Sequence, residues 1–171
     1  EGPNEPDPNA ENMTWYSLFE QQRCILMAEH GFRCAIGGFA TGVPELDEFQ
    51  LFLPAIDVAK RVGGVLTLHE YSAPDMYTGY GGGLPGYPSY PDRGTLTFRY
   101  RWFYREILEP ADLVIPLIIT EAGVDGIIGG RPGPAGTVQR RAGPAGLPGL
   151  AHRMVPRNGA ADASRFRCTA L

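Results

Sequence analysis

The spacing of apolar residues along the first 128 positions changes period several times, and each period predicts an element. After Asn12, apolar residues recur at Trp15, Leu18, Phe19, Ile25 and Leu26, the signature of an amphipathic helix of about five turns closed by Gly31. Residues 33–39 form a short apolar run and read as a buried strand. Residues 44–52 read as a loop holding one helical turn. Pro54 suits the first position of a helix running to about Arg61, because proline lacks the N–H that this position does not need. Gly63 and Gly64 end that helix, and residues 65–69 follow as a strand that is apolar on both faces, as parallel strands are. Residues 72–95 break the rhythm with Gly, Pro and Tyr, a length that is often functional. Residues 96–108 resume a helical, aromatic-rich pattern. Residues 113–120 are the most apolar strand, which either begins near Pro116 or starts after it.

Helix and strand patterns in alternation predict an α/β fold with a parallel sheet. Residues 1–128 form this unit. Residues 129–171 are different: seven arginines, eight glycines and five prolines stand against a single acid, Asp162. Their net charge is +6, which leaves −10 on residues 1–128 of the overall −4. Gly130-Arg131-Pro132-Gly133 and Gly143-Pro144-Ala145-Gly146 look collagen-like, but the register breaks between Gly136 and Gly143. This portion reads as a disordered basic tail, or as out-of-frame or intron-derived sequence. The opening Glu1-Gly2-Pro3-Asn4-Glu5-Pro6 reads as the interior of a longer chain.

Composition removes several classes. No apolar stretch approaches 18 residues, so no membrane span is expected. The net negative charge argues against a nucleic-acid partner. Three cysteines are too few for a disulfide scaffold. No specific protein partner is indicated.

Candidate chemistry sits where apolar runs finish, the place where parallel α/β folds gather their reactive groups. Three such ends carry polar residues: Asn4-Glu5-Pro6, His69-Glu70-Tyr71 and Thr120-Glu121-Ala122-Gly123. A carboxylate closing an eight-residue apolar strand needs a reason, since ionisable groups are rarely buried unpaired. Glu5 and Glu121 are 116 positions apart, which spans about three βα units and one long loop. Two facing carboxylates are the minimum equipment for glycoside hydrolysis, one to protonate the leaving oxygen and one to attack the anomeric carbon.

These residues resemble those of the clan A glycoside hydrolases, the (β/α)8-barrel retaining enzymes. In that clan the acid/base Glu follows an Asn at the end of the fourth strand, and the nucleophile Glu ends the seventh. Family 5 adds a His-x-Tyr at the end of the sixth. The wording is nearer to uncharacterised fungal members of the superfamily than to any cellulase. The resemblance covers residues 1–128 and implies a partial (β/α)8 TIM barrel, about strands four to seven. It implies Glu5 as acid/base, Glu121 as nucleophile, Asn4 on the sugar 2-hydroxyl, His69 lining the sugar site and Tyr71 bonded to the nucleophile. A carbohydrate substrate with a β linkage follows, and neither a metal nor an organic cofactor is called for. The clan's second-strand Arg, third-strand polar residue and eighth-strand Trp have no counterpart here. Strands one to three would precede Glu1. Half a barrel would leave sheet edges open, so weak activity and association are expected of the chain alone. The alternatives are a non-catalytic carbohydrate-binding or pseudoenzyme fragment and an unfolded artefact.

Other features carry less. Trp102, Tyr77, Tyr80, Tyr87 and Tyr90 are candidates for stacking on sugar rings, against the plainer role of packing. Gly81, Gly83 and Gly86 match a dinucleotide fingerprint in spacing alone, with Pro85 inside and no helix following. Cys24 and Cys34 read as buried thiols, with a disulfide between them as the alternative. His30, His69 and His152 are dispersed and show no metal spacing. Glu70 is expected to face away from His69 and to form a salt bridge. Asn12-Met13-Thr14 is a glycosylation sequon, in keeping with an extracellular parent protein.

Overall fold

A computed structural model describes residues 1–124. The tail expected over 129–171, and the last positions of the unit expected over 1–128, lie outside the described residues. The described elements are α1 (Ala10–Glu29), β1 (Ala35–Phe39), α2 (Leu46–Gln50), α3 (Leu53–Val62), β2 (Val65–Ser72), α4 (Tyr100–Phe103) and β3 (Leu117–Val124). The strands form one parallel sheet in the order β1-β2-β3, so β2 is paired on both sides. This is an α/β fold with an open three-stranded sheet, and a closed barrel is not present among the described residues.

Most elements start and stop for local reasons. The Asn9 side chain accepts from Asn12 N at 3.0 Å and caps α1. Glu45 and Glu48 form a reciprocal capping box that turns the expected single turn into α2. Pro54 lies in the first turn of α3, and Gly63 closes that helix in the left-handed conformation. β3 begins after Pro116, whose carbonyl still accepts from Leu66 N at 2.8 Å. The helix expected over 96–108 forms only from Tyr100 and loosens into a π-turn over Tyr104–Leu108. The long loop at 72–95 is tightly laid down. A Cβ at Gly94 would stand 2.7 Å from the Tyr80 Cα, so the two loop strands meet where only glycine fits.

The core joins Phe39 of β1, Phe49 and Phe52 around α2, Ile56 of α3, Leu66 and Leu68 of β2, and Trp102 and Phe103 of α4. One expectation is reversed in α1. The series Trp15, Leu18, Phe19, Ile25 and Leu26 faces outward, and Met13, Tyr16, Ser17, Glu20 and Cys24 are the buried residues. Both sides of the helix are apolar enough to pack, so polar groups decide its orientation. Tyr16 donates to Gly37 O at 2.8 Å and Arg23 to Ala35 O at 2.7 Å, which serves β1 carbonyls at the sheet edge. Glu20 accepts from Arg23 at 2.8 Å through one oxygen, its other oxygen lies 2.9 Å from the Tyr16 hydroxyl, and burial nonetheless raises its carboxyl above the ordinary range. Cys24 and Cys34 are buried, as expected, and both are free thiols. Burial pushes the Cys24 thiol up to about 12, helped by its hydrogen bond with Cys34.

Two irregularities interrupt the sheet. In β1 the pairing passes from Gly37↔Thr67 to Phe39↔Leu68 and skips Gly38. Gly38 has φ +59, which glycine adopts without strain. The Thr67 hydroxyl repairs the break: it accepts from Gly38 N at 2.9 Å and donates to Ile36 O at 3.0 Å, fully buried. In β3 the pairing passes from Leu68↔Ile119 to His69↔Glu121 and skips Thr120. Thr67→Val keeps the shape of the side chain but strands a buried donor and a buried acceptor. Loss of about 2–4 kcal/mol of stability is expected, measured as a lower urea midpoint with an unchanged slope; an unchanged midpoint would contradict the bridging role.

Candidate functional site

The site gathers at the C-terminal ends of β2 and β3. Successive side chains on a strand alternate faces, so His69 and Tyr71 share one face of β2 while Glu70 takes the other. A regular β3 would place Thr120 opposite His69 and send Glu121 to the face of Glu70. The skipped Thr120 shifts β3 by one residue and puts Glu121 beside His69 instead. Tyr71 then donates its hydroxyl to Glu121 Oε2 at 3.0 Å, and its backbone N–H donates to Thr41 Oγ1 at 2.7 Å.

Glu5 arrives from the other side. It is not at the end of a strand, as the sequence suggested, because prolines on both sides lack the N–H that would extend a ladder. Its N–H makes one strand-like bond, to Gly38 O at 2.9 Å, and its own φ of +49 turns the chain away. A non-glycine residue held in this conformation is strained, a condition that concentrates at functional sites. The Gly38 carbonyl that receives it is the one displayed by the irregularity in β1.

His69 lies between the two carboxylates with its ring fully buried. Nδ1 is 3.1 Å from Glu5 Oε1, and Nε2 is 3.7 Å from Glu121 Oε1. One ligand-capable atom from each of Glu5, His69 and Glu121 lies within 4.8 Å of the other two. The side chains of Glu5 and Glu121 are 46% and 42% exposed, so a solute can reach both. Thus four of the five expected residues meet, although 116 positions separate the outermost pair. Asn4 is exposed beside Glu5 and is not among the groups that meet at His69. Thr41, which fixes the Tyr71 backbone, and Gly38 were not singled out from the sequence. Neither carries a local signal there, since both act through main-chain geometry.

The aromatic candidates divide. Trp102 is fully buried, donates from Nε1 to Gly94 O at 3.2 Å and is flanked edge-on by Tyr87 and Tyr90. Its role is packing, the plainer of the two readings the sequence offered. Tyr77 is 82% exposed and, with Tyr80, Met76, Thr97 and Phe98, lines an apolar cleft of about 440 Å³ that includes Glu70. That residue lies on the face of β2 opposite His69.

Glu70 itself departs from expectation. Its carboxylate is buried and meets backbone N–H groups at the start of α4, with Phe98 N donating to Oε2 at 3.0 Å, in place of a salt bridge. Burial raises its carboxyl above the ordinary range, and the N–H groups of Phe98, Tyr100 and Arg99 offset only part of this. A folded-state carboxyl raised in this way contributes stability below its unfolded pKa, which is lost as pH rises through the folded one. Glu70→Gln keeps an acceptor for Phe98 N–H and removes the charge. The variant should gain on the parent between pH 4 and pH 7 in urea unfolding. A variant that falls behind the parent over that interval would show that the charge is needed there.

Comparison with known proteins leaves the chain without an assigned family: no family model matches it, and no curated protein or solved structure matches it either.

Proposed function

We propose that residues 1–124 form part of a barrel-type retaining glycoside hydrolase acting on a β-linked glycan. The observation that carries this reading is the convergence of Glu5 and Glu121, with carboxylate oxygens within 4.8 Å of each other and Tyr71 donating to the second. Carboxyl groups about 5–5.5 Å apart suit double displacement, whereas inverting pairs stand further apart to admit a water. The parallel order β1-β2-β3 agrees with three consecutive barrel strands, and the site lies at the strand ends where such folds hold their chemistry.

In this mechanism Glu5 protonates the glycosidic oxygen as the bond breaks, and Glu121 attacks the anomeric carbon to form a glycosyl ester. Glu5, now a carboxylate, takes a proton from water as that water displaces Glu121. The Tyr71 hydroxyl holds Glu121 Oε2 and leaves Oε1 to attack. His69 fixes the side chain of Glu5 through Nδ1, and the same reading gives Asn4, the neighbour of Glu5 in sequence, the sugar 2-hydroxyl as its partner. An extracellular setting belongs to the same reading. A second reading, non-catalytic carbohydrate binding, draws on the exposure of both carboxylates, because acid catalysts ordinarily work where water is excluded.

The test is hydrolysis of an aryl β-glycoside by the 171-residue chain, with a slow-turnover fluorinated glycoside to trap the ester. Retaining catalysis predicts one added sugar on Glu121 by peptide mass spectrometry and a loss of kcat by about a thousandfold or more in Glu121→Gln. Tyr71→Phe should cost about tenfold to a hundredfold in kcat, the value of one hydrogen bond to a charged group. Sugar binding that persists in Glu121→Gln with no ester in either protein would favour the binding reading.

A further inference from the structure

The imidazole at the centre of the site has a property that hydrolysis does not use. In the neutral ring, the contact between Nδ1 and Glu5 Oε1 at 3.1 Å puts the single ring proton on Nδ1. Nε2 then carries a lone pair. It is buried, has no hydrogen-bond partner among the described residues, and lies 3.7 Å from Glu121 Oε1. That separation is too long for a hydrogen bond, and two electron-rich atoms facing each other repel. A cation between them converts the repulsion into two bonds.

The surroundings suit a metal more than a simple monovalent ion. A neutral imidazole nitrogen is a ligand for first-row transition ions, and hard ions such as magnesium prefer all-oxygen sites. The opposite nitrogen already donates to a carboxylate, the outer support that orients metal-bound histidines and raises their basicity. Ligand atoms held tetrahedrally at about 2.0–2.1 Å from zinc stand about 3.4 Å apart, so Nε2 and Glu121 Oε1 need to close by only a few tenths of an ångström. Glu121 is half-exposed and can make that adjustment, while the buried ring stays fixed.

We propose that this cluster is a binding site for a divalent transition-metal ion, with His69 Nε2 and the Glu121 carboxylate as ligands. Glu5 holds Nδ1–H and adds a second negative charge close by, and water completes the coordination shell. Binding itself does not depend on the hydrolase reading. If that reading also holds, an ion at this place occupies the attacking oxygen of Glu121 and inhibits hydrolysis.

The experiment is calorimetric titration of the 171-residue chain with zinc chloride at pH 7.5, repeated in excess magnesium. The result expected is a site with a Kd of about 10–100 μM that magnesium does not displace. Glu121→Gln should weaken that site at least about tenfold, and Glu5→Ala, which removes the acceptor for Nδ1–H, should weaken it about tenfold through loss of the outer support. Both side chains are half-exposed, so both variants are expected to fold, with circular dichroism as the check. Zinc held elsewhere, for example by cysteines, would persist in both variants. Absence of zinc binding, or undiminished affinity in Glu121→Gln, overturns the proposal. A protein that binds zinc yet forms no glycosyl ester keeps this site and removes the hydrolase; a protein that forms the ester without binding zinc does the reverse.

Discussion

A single skipped residue in β3 governs the chemistry of this sheet. Side chains on paired parallel strands share a face as long as the ladder is regular, and one residue of slip exchanges the faces. With Thr120 passed over, Glu121 stands beside His69. With Thr120 in the ladder, the carboxylate would point at the same side as Glu70, into the packing beneath α4. The matching irregularity at Gly38 in β1 displays the carbonyl that receives Glu5. Both interruptions border β2, whose own residues run without a break from Val65 to Ser72. The central strand therefore acts as a fixed rail, and the two neighbours are adjusted against it.

Such adjustments need compensation, since every broken rung leaves main-chain groups that must find partners. In β1 the compensation is a side chain. The Thr67 hydroxyl accepts on one side and donates on the other, which a valine of the same shape cannot do. The outer edge of β1 is served in turn by Tyr16 and Arg23, so the orientation of α1 is tied to the same strand. Hydrogen bonding, more than the distribution of apolar surface, selects which side of that helix faces inward.

Much of this was legible in the sequence, and the failures share one cause. The period of apolar residues located β2 and α3 closely and placed β3 to within a few positions, with its start after Pro116 as one of the two expected options. Gly31 and Gly63 marked two helix ends and Pro54 the start of α3, whereas α1, expected after Asn12, begins at its Asn9 cap. The polar residues that follow the apolar runs located His69, Tyr71 and Glu121. What periodicity could not show was which of two apolar sides α1 would bury, because that depends on carbonyls of a strand 12 and 21 residues away. Nor could it show that Glu5 would reach the sheet through one backbone bond, or that Glu70 would be held by N–H groups in place of a cation. Each of these is a main-chain event, and side-chain identity records it only indirectly.

The attachment of Glu5 has a consequence for the order in which the site forms and dissolves. β2 and β3 carry His69, Tyr71 and Glu121 in the paired stretch beyond the skipped Thr120, so these three separate only when the sheet itself opens. Glu5 is joined to the same sheet by one backbone amide and by its half-exposed side chain's contact with His69, in a segment punctuated by prolines. The free energy needed to release it is that of a local opening, far below that of global unfolding. The two carboxylates thus belong to different cooperative units, and a protein that is fully folded by every spectroscopic measure of its sheet can still hold only half of its site.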